Sequence, residues 1–305
     1  MILIGSRAFF LRCPDALSRY PKDFDWVCTQ QEYEHWMKIN SAQVKPTKVY
    51  PENGKMIVEG LTNCEFEIIQ PDTSCQMLKG LVEDNEESIK TSLGWVPTLD
   101  LLFTIKASHR YRKFEYSDHV FWKTFRDYHV MKRLGAKVRP EYRDFLAQRE
   151  KETYTYQHPK LNQDKEGFFK SDGLTYIWDH DTVHLSVAQQ EKPAYTYYMK
   201  DGAQVQCDKE KFFACTREIQ LSGVVEEAAV LAIERSLVPH VGVWTPERAW
   251  KFALGKVMSS ITSGWFREFA FENGPEILKL YPKGYWEKFQ ADTKSGLVKP
   301  FVETQ

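Results

Sequence analysis

The six cysteines of this 305-residue chain include no CxxC pair. Thiols scattered over a chain of this length indicate free cysteines in a reducing compartment, rather than a disulfide framework or a cysteine-based zinc site. The sequence also lacks any run of eighteen apolar residues, so it contains no candidate membrane-spanning helix. We therefore expect a soluble, cytoplasmic protein that has no membrane partner.

Net charge is lacking as well, because 41 Lys and Arg residues stand against 42 Asp and Glu residues. A nearly neutral protein creates no global field for nucleic acid, so a polyanionic partner must bind a local patch. Internal repeats and low-complexity tracts are also missing. The whole sequence contains 42% hydrophobic and 14% aromatic residues. This composition is typical of a globular protein with room for two domains.

Secondary-structure patterns divide the chain into two parts. Short apolar runs bounded by turn residues predict strands at 1–4, 25–29, 48–50, 55–59 and 64–70. Helical spacing of apolar residues predicts helices at 8–18, 30–39, 98–109, 119–134, 182–190, 209–221, 226–235, 246–259 and 262–272. The predicted fold class is α+β, with an N-terminal mixed sheet and helices followed by a mostly helical C-terminal region. The charged stretch 139–151 is interpreted as the linker, which gives domains at 1–138 and 139–305.

Two aspartates carry the strongest chemical signal in the sequence. Asp23 and Asp25 alternate in an extended segment, so their side chains point the same way and can hold one magnesium ion together, while Phe24 faces the core. A third carboxylate from a neighbouring strand completes such a site. Glu65 and Glu67 both have the required alternation. Glu67 is named as the metal ligand, and Glu65 stays open as its alternative.

A turn at Gly5 and Ser6 follows the first strand and opens the first helix. Backbone N–H groups at a helix start, together with a serine hydroxyl, suit a phosphate, and glycine allows close approach of the backbone. Magnesium carboxylates beside a phosphate-binding turn are what phosphoryl or nucleotidyl transfer requires, because that chemistry depends on placing charge.

The order IGSRA, DFD and then CEFEIIQ resembles the nucleotidyltransferase-fold superfamily, which includes polymerase beta, antibiotic nucleotidyltransferases and AbiEii-type toxins. Residues 101–112 (LLFTIKASHRYR) and 122–135 (WKTFRDYHVMKRLG) look like the helical segment of the toxin-like members. The ensemble is also similar to phage-encoded nucleotidyltransferase-like proteins. One departure is the spacing, since sixteen residues separate Ser6 from Asp23, more than in the compact members of the superfamily.

The resemblance implies a magnesium-dependent enzyme that moves a nucleotidyl group from a nucleoside triphosphate such as ATP to an acceptor. The acceptor is left open between an RNA such as tRNA, a protein and a small molecule. The implied catalytic residues are Asp23, Asp25, Glu67 and Lys106. The implied nucleotide-binding residues are Gly5, Ser6, Arg7, Lys106, His109, Arg110 and Asp127.

A second cluster offers a different reading. Residues 178–184 (WDHDTVH) place His180 and His184 four apart, with Asp181 between them and His158 upstream, as in a metal site. This arrangement is similar to the HD phosphohydrolases, which makes a metal-dependent phosphohydrolase the alternative function. The competing interpretation is a helix cap at Asp179 or Asp181 with packed histidines.

A third reading is non-catalytic. A nucleotidyltransferase-fold protein that has lost its reaction could still bind a protein or a nucleic acid. A basic stretch interleaved with aromatic residues suits single-stranded nucleic acid, although the same pattern is typical of a solvated helix face. The stretch comprises Lys106, Arg110, Tyr111, Arg112, Lys113, Phe114, Tyr116, Trp122, Lys123, Arg126, Lys132 and Arg133.

Overall fold

The computed structural model of the chain describes residues 1–17, 19–42, 44–50, 55–60, 63–111, 118–155, 209–237, 246–260 and 264–280. The chain forms two compact units, one of residues 1–112 with 123–158 and the other of residues 113–122 with 159–305. The first unit contains a mixed sheet, and the described part of the second contains helices. The predicted α+β class, with the sheet N-terminal, is confirmed.

The sheet of the first unit has seven strands in the order β3-β4-β5-β2-β1-β7-β6. The strands are β1 (Ile2–Ile4), β2 (Phe24–Cys28), β3 (Val44–Tyr50), β4 (Lys55–Gly60), β5 (Cys64–Ile68), β6 (Ile89–Thr91) and β7 (Gly94–Val96). Strand β2 pairs antiparallel with β1 and parallel with β5. The DFD segment therefore enters the middle of the sheet, between the first strand and the acidic strand.

Six described helices accompany the sheet in the N-terminal half of the chain, and local sequence signals explain where some of them begin and end. They are α1 (Gly5–Arg12), α2 (Gln30–Asn40), α3 (Ser74–Glu83), α4 (Leu99–Ser108), α5 (Asp118–Arg133) and α6 (Arg143–Thr155). Thr29 and Glu32 form a capping box at the start of α2, which satisfies N–H groups that a helix start leaves unpaired. Helix α5 ends at Arg133, and Gly135, two residues later, has a φ of +88°, a conformation that glycine adopts readily after a helix.

Both faces of the central strands β1, β2 and β5 are buried. On one face, Ile2 and Val27 pack with Leu101, Ile105 and Phe145 from α4 and α6. On the opposite face, aromatic rings from strands and α2 contact each other, for example Trp26 with Phe66 at 5.2 Å between ring centroids. Each fully buried aliphatic or phenyl side chain contributes about 1.5–3 kcal/mol relative to exposure. The sheet is therefore a rigid platform for the residues at its strand ends.

Two predicted boundaries differ from the structure. Helix α1 ends at Arg12 rather than near residue 18, because Pro14 follows and begins a short 3-10 helix, Pro14–Ala16. The predicted linker is also replaced by structure: Tyr142 and Phe145 are 1% and 0% exposed in the core of the first unit. Two large apolar residues in this charged stretch are enough to hold α6 on the sheet, so the first unit continues past the predicted boundary at 138.

The second unit, where described, consists of α7 (Lys209–Ala214), α8 (Arg217–Leu237), α9 (Pro246–Ser260), α10 (Gly264–Glu272) and α11 (Gly274–Ile277). Its core is rich in phenylalanine, with Phe212 contacting Phe266 and Phe269 at centroid distances of 5.5 and 4.9 Å. We predicted two helices here, at 209–221 and 226–235. In the structure the break between them follows Ala214 instead, so that α8 is one long helix. No helix among the described residues has both the length and the apolar character needed to cross a membrane.

Candidate functional site

The junction of β1 and α1 brings the predicted turn against the predicted carboxylates. Ile4 pairs with Asp25 in the β1–β2 register. Gly5, the next residue, has φ +69°, and a Cβ atom at this position would lie 2.0 Å from Asp25 Oδ2. Only glycine fits here, because the conformation is left-handed and the aspartate occupies the space of a side chain. The sixteen-residue gap therefore does not separate the two motifs.

Asp23 and Asp25 lie at the start of β2. Asp25 is half-buried within the strand, and Asp23 immediately precedes it. The Asp23 carboxylate forms an ion pair with Lys123 of α5, at 3.4 Å. The alternation predicted for the DFD segment places Phe24 on the other face, where its ring stacks on Trp26 at 4.9 Å between centroids.

The neighbouring strand distinguishes the two candidates for the third carboxylate. In the parallel β2–β5 register, Asp25 lies opposite Glu65, whereas Glu67 lies opposite Val27. The Glu67 carboxylate accepts two hydrogen bonds from the buried guanidinium of Arg149, at 2.8 and 3.1 Å. Glu67, which we predicted as the metal ligand, is the counter-ion of Arg149. Glu65 is the acidic residue of β5 that the register brings beside Asp25.

A buried ionic network lies at the first turn of α1. Arg19 Nη2 donates to Ser6 Oγ at 3.4 Å and to Asp127 Oδ2 at 3.3 Å. Lys106 Nζ lies 3.5 Å from the same Asp127 oxygen. Ser6, Lys106 and Asp127 are 3%, 8% and 0% exposed. Three residues that the resemblance assigned to nucleotide binding are therefore joined through Arg19, although they come from α1, α4 and α5.

Arg7 completes the positive side of this region. Its guanidinium lies 4.7 Å above the ring of Tyr20 and 4.1 Å above that of Phe24, and Nη1 donates to the Tyr20 hydroxyl at 2.6 Å. Stacking on two aromatic faces fixes the plane of the guanidinium and keeps its charge close to the DFD segment.

Several polar groups around the first turn of α1 lack partners among the described residues. These are Arg7 Nε, Arg19 Nε and Asp127 Oδ1. Helix α1 has no side-chain cap from its N-cap residue Ile4 and no acidic residue in its first turn, and the Asp25 carboxylate lies against Gly5 at this helix start. Buried polar atoms without partners are costly. The two arginine Nε atoms are donors that an anion can satisfy, whereas Asp127 Oδ1 is an acceptor that an anion cannot satisfy.

The described carboxylates near Asp23 and Asp25 do not form a complete metal site on their own. Among the described residues, no three His, Cys, Asp or Glu side chains are grouped closely enough to hold a metal ion by themselves. Asp23 and Asp25 do offer carboxylate oxygens, which magnesium prefers, and such sites usually take their remaining ligands from water and substrate phosphates. The expected metal-ligand set of Asp23, Asp25 and Glu67 is not assembled among the described residues.

His109 and Arg110 are placed differently from Lys106, although all three were assigned to nucleotide binding. His109 is the C-cap residue of α4 and directly follows its last residue, Ser108. Arg110 donates to the Ala107 carbonyl at 2.6 Å and pairs with Glu150 at 3.3 Å. These contacts fix the end of α4 against α6, which is a structural role for Arg110.

The side chain of Arg12 anchors the C-terminal end of α1. Its guanidinium donates to the carbonyl oxygens of Glu87, Val96 and Pro97, at 2.6, 2.9 and 2.8 Å. Burial is the main reason why the pKa of Arg12 is below its ordinary value. The helix that carries Gly5 and Ser6 is thus fixed to the β6–β7 end of the sheet.

Some predicted features lie outside the described residues. The HD-like cluster of His158, His180, Asp181 and His184 is among them, as are Arg112, Lys113, Phe114 and Tyr116 of the basic stretch. Conversely, sequence reasoning missed Arg19, Tyr20 and Lys123 as members of the site. Arg19 and Tyr20 lie shortly before the DFD segment, separated from it by Pro21 and Lys22, but a basic and an aromatic residue in a loop carry no distinctive pattern.

Two family profiles match the chain. Residues 1–167 match a domain of unknown function, DUF7277, and residues 101–291 match another, DUF7275. Each match covers more than half of the chain, so the protein belongs to both families. No match was found among curated proteins or among solved structures. All the residues that form the site at the start of α1 fall within the DUF7277 match.

Proposed function

We propose that the first unit is a magnesium-dependent nucleotidyltransferase, which moves a nucleotidyl group from a nucleoside triphosphate to an acceptor. The observation that carries this proposal is the close approach of Gly5 to Asp25, with only 2.0 Å between a Cβ built on Gly5 and Asp25 Oδ2. This reaction needs a phosphate-binding turn directly beside metal-binding carboxylates, because it depends on positioning and on charge.

The phosphate side of the reaction is served by the first turn of α1 and its cations. Backbone N–H groups and the Ser6 hydroxyl bind phosphate oxygens, and Lys106 offsets their negative charge. A buried lysine is effective here because charge interactions strengthen away from bulk water. Asp127 keeps the Lys106 ammonium in position, at 3.5 Å, which makes it a positioning residue.

The transfer step depends on the carboxylates near the starts of β2 and β5. Magnesium, when held by Asp23, Asp25 and phosphate oxygens, supplies the charge that stabilises the transferring group. An acceptor hydroxyl attacks the α-phosphorus, the bond to the β-phosphate oxygen breaks, and pyrophosphate leaves with that electron pair. The hydroxyl proton passes to Glu65, the residue opposite Asp25 in the strand register.

Binding measurements test the site. Isothermal titration of wild type with ATP, CTP, GTP and UTP, each with magnesium, should give binding that Asp25→Asn weakens at least tenfold. Asp15→Asn is the matched control, because Asp15 is an exposed aspartate just after α1, and it should bind like wild type. Equal binding by wild type and Asp25→Asn would refute the proposed site.

A second measurement separates catalysis from binding alone. Protein incubated with an α-phosphate-labelled nucleotide and total RNA, protein extract or small hydroxyl compounds should release pyrophosphate and label one acceptor class. Magnesium-dependent nucleotide binding without pyrophosphate release or acceptor labelling in any mixture would instead support the non-catalytic binding protein.

A further inference from the structure

Arg19 contacts two residues that the resemblance assigns to nucleotide binding, Ser6 and Asp127. It is the only described side chain with a hydrogen bond to Ser6 Oγ, at 3.4 Å, and the same nitrogen reaches Asp127 at 3.3 Å. Both contacts are long for charged or hydroxyl hydrogen bonds, which usually measure 2.7–3.2 Å. Arg19 therefore satisfies Ser6 and Asp127 weakly.

The charges around Asp127 are unbalanced. Two cations, Arg19 and Lys106, share the single oxygen Oδ2, while Oδ1 has no hydrogen-bond partner among the described residues. One carboxylate neutralises only one of these two cations, so the other can pair with a further anion. The first turn of α1 also lies beside the Asp25 carboxylate, whose charge the proposed magnesium ion would offset.

Exposure distinguishes the two cations. The Lys106 side chain is 10% exposed and belongs to α4, whereas the Arg19 side chain is 28% exposed and belongs to the loop before β2. The Nε atom of Arg19 is itself buried and has no hydrogen-bond partner among the described residues, so the exposed part of this side chain lies elsewhere. Arg19 is the more exposed of the two cations.

We infer that Arg19 is a polyphosphate-binding residue, which exchanges its contact with Ser6 for the terminal phosphates of the nucleotide. This inference rests on the proposed function and adds a ligand specificity to it. The Ser6 hydroxyl and the N–H groups of α1 take one phosphate, and the planar guanidinium takes the next by paired hydrogen bonds. The site then selects nucleoside triphosphates over monophosphates.

The test compares phosphate chain lengths on three variants of the full chain. Arg19→Gln removes the charge, Arg19→Lys keeps it without the planar fork, and Lys22→Gln removes an exposed cation of the same loop. Affinities for ATP, AMP and inorganic tripolyphosphate are measured by titration with magnesium. Melting temperatures without ligand show whether each variant is folded.

Arg19→Gln should weaken ATP and tripolyphosphate by about 10- to 100-fold and AMP by less than about twofold. Arg19→Lys should recover part of the ATP affinity, and Lys22→Gln should behave like wild type. The ratio of ATP to AMP affinity keeps the test valid if Arg19→Gln is less stable, because a purely structural loss lowers both affinities together.

Three results would overturn the inference, and they are distinguishable. An equal loss of ATP and AMP affinity would make Arg19 structural, and unchanged ATP affinity would remove it from the site. In both cases, loss of ATP binding in Asp25→Asn would leave the proposed function standing. Failure of the folded wild type to bind ATP or tripolyphosphate would refute the proposed function and the inference together.

Discussion

The guanidinium of Arg149 is held by the carboxylate of Glu67 through two hydrogen bonds, at 2.8 and 3.1 Å. Arg149 also contacts Ser74 Oγ at 3.3 Å. Burial is the largest single influence on the pKa of Arg149 and lowers it, but the charges and hydrogen bonds of Glu67 and Cys75 together raise that pKa above its ordinary value. The pair ties α6 to β5, the strand that also carries Glu65.

Glu67→Gln should therefore lower stability. Removing one partner of a buried ion pair leaves the other uncompensated, and we expect a loss of about 3 kcal/mol in the free energy of unfolding. Urea unfolding measures it. Glu83→Gln, at an exposed position on α3, is the control and should change stability by less than about 0.5 kcal/mol. A Glu67→Gln protein with wild-type stability but no nucleotide binding would return Glu67 to the metal site.

Glu65→Gln should affect the reaction instead. If Glu65 accepts the acceptor proton, the amide variant should bind ATP within about threefold of wild type but release pyrophosphate about 100-fold more slowly or worse. The measurement is pyrophosphate release at saturating ATP, with Glu67→Gln assayed in parallel at a temperature where it stays folded. Unchanged turnover in Glu65→Gln would exclude this role.

Gly5→Ala tests the close contact with Asp25. Gly5 and Gly135 both have positive φ, at +69° and +88°, but a Cβ on Gly135 meets nothing within 4 Å. Both alanine variants should lose about 1–2 kcal/mol of stability through backbone strain. Only Gly5→Ala must also displace the Asp25 carboxylate, so it alone should weaken binding of magnesium and ATP at least tenfold in titrations. Matching affinities in the two variants would contradict the assigned geometry.

Alkaline stability should depend on two buried thiols. Burial is the main reason why the pKa of Cys28 and of Cys75 rises from 9.0 to about 12. Between these values the unfolded thiol has lost its proton and the folded one has kept it. The unfolded state then binds fewer protons, so stability falls as pH rises, by about 1.4 kcal/mol per pH unit for each thiol.

Denaturant unfolding of Cys75→Ala and Cys28→Ala between pH 9 and 10.5 measures this effect. Each variant should show a shallower decline with pH than wild type, whatever its stability at pH 7. Cys13→Ala is the comparison, because Cys13 is only partly buried, and its decline should stay closer to that of wild type. Parallel declines in all four proteins would show that the buried thiols ionise normally.

Local patterns identified much of the first unit. The strand before Gly5, the strand containing Asp25 and the acidic strand are all present, because apolar alternation and turn residues report directly on burial. The meeting of Gly5 with Asp25 also follows the predicted order of elements. These features depend on neighbours in sequence, which is why the chain reveals them.

Other features depend on partners that are distant in sequence. Glu65 and Glu67 have the same alternation, and only the register with β2 and the position of Arg149, 82 residues away along the chain, distinguish them. Arg19 is 108 residues from Asp127, so no local pattern could connect them. The charged segment around Tyr142 was predicted to be a linker for the same reason. Its two core residues, Tyr142 and Phe145, are recognised only from the distant residues that pack against them.

The three carbonyl oxygens that hold Arg12 give α1 a fixed orientation at the end away from Gly5. If the proposed nucleotide site is correct, these contacts should hold α1 in place when a ligand binds at its first turn. Any adjustment is then expected in the loop that carries Arg19 and Tyr20. Amide hydrogen exchange should accordingly change on nucleotide addition in that loop, while the amides of α1 beyond its first turn keep their unliganded rates.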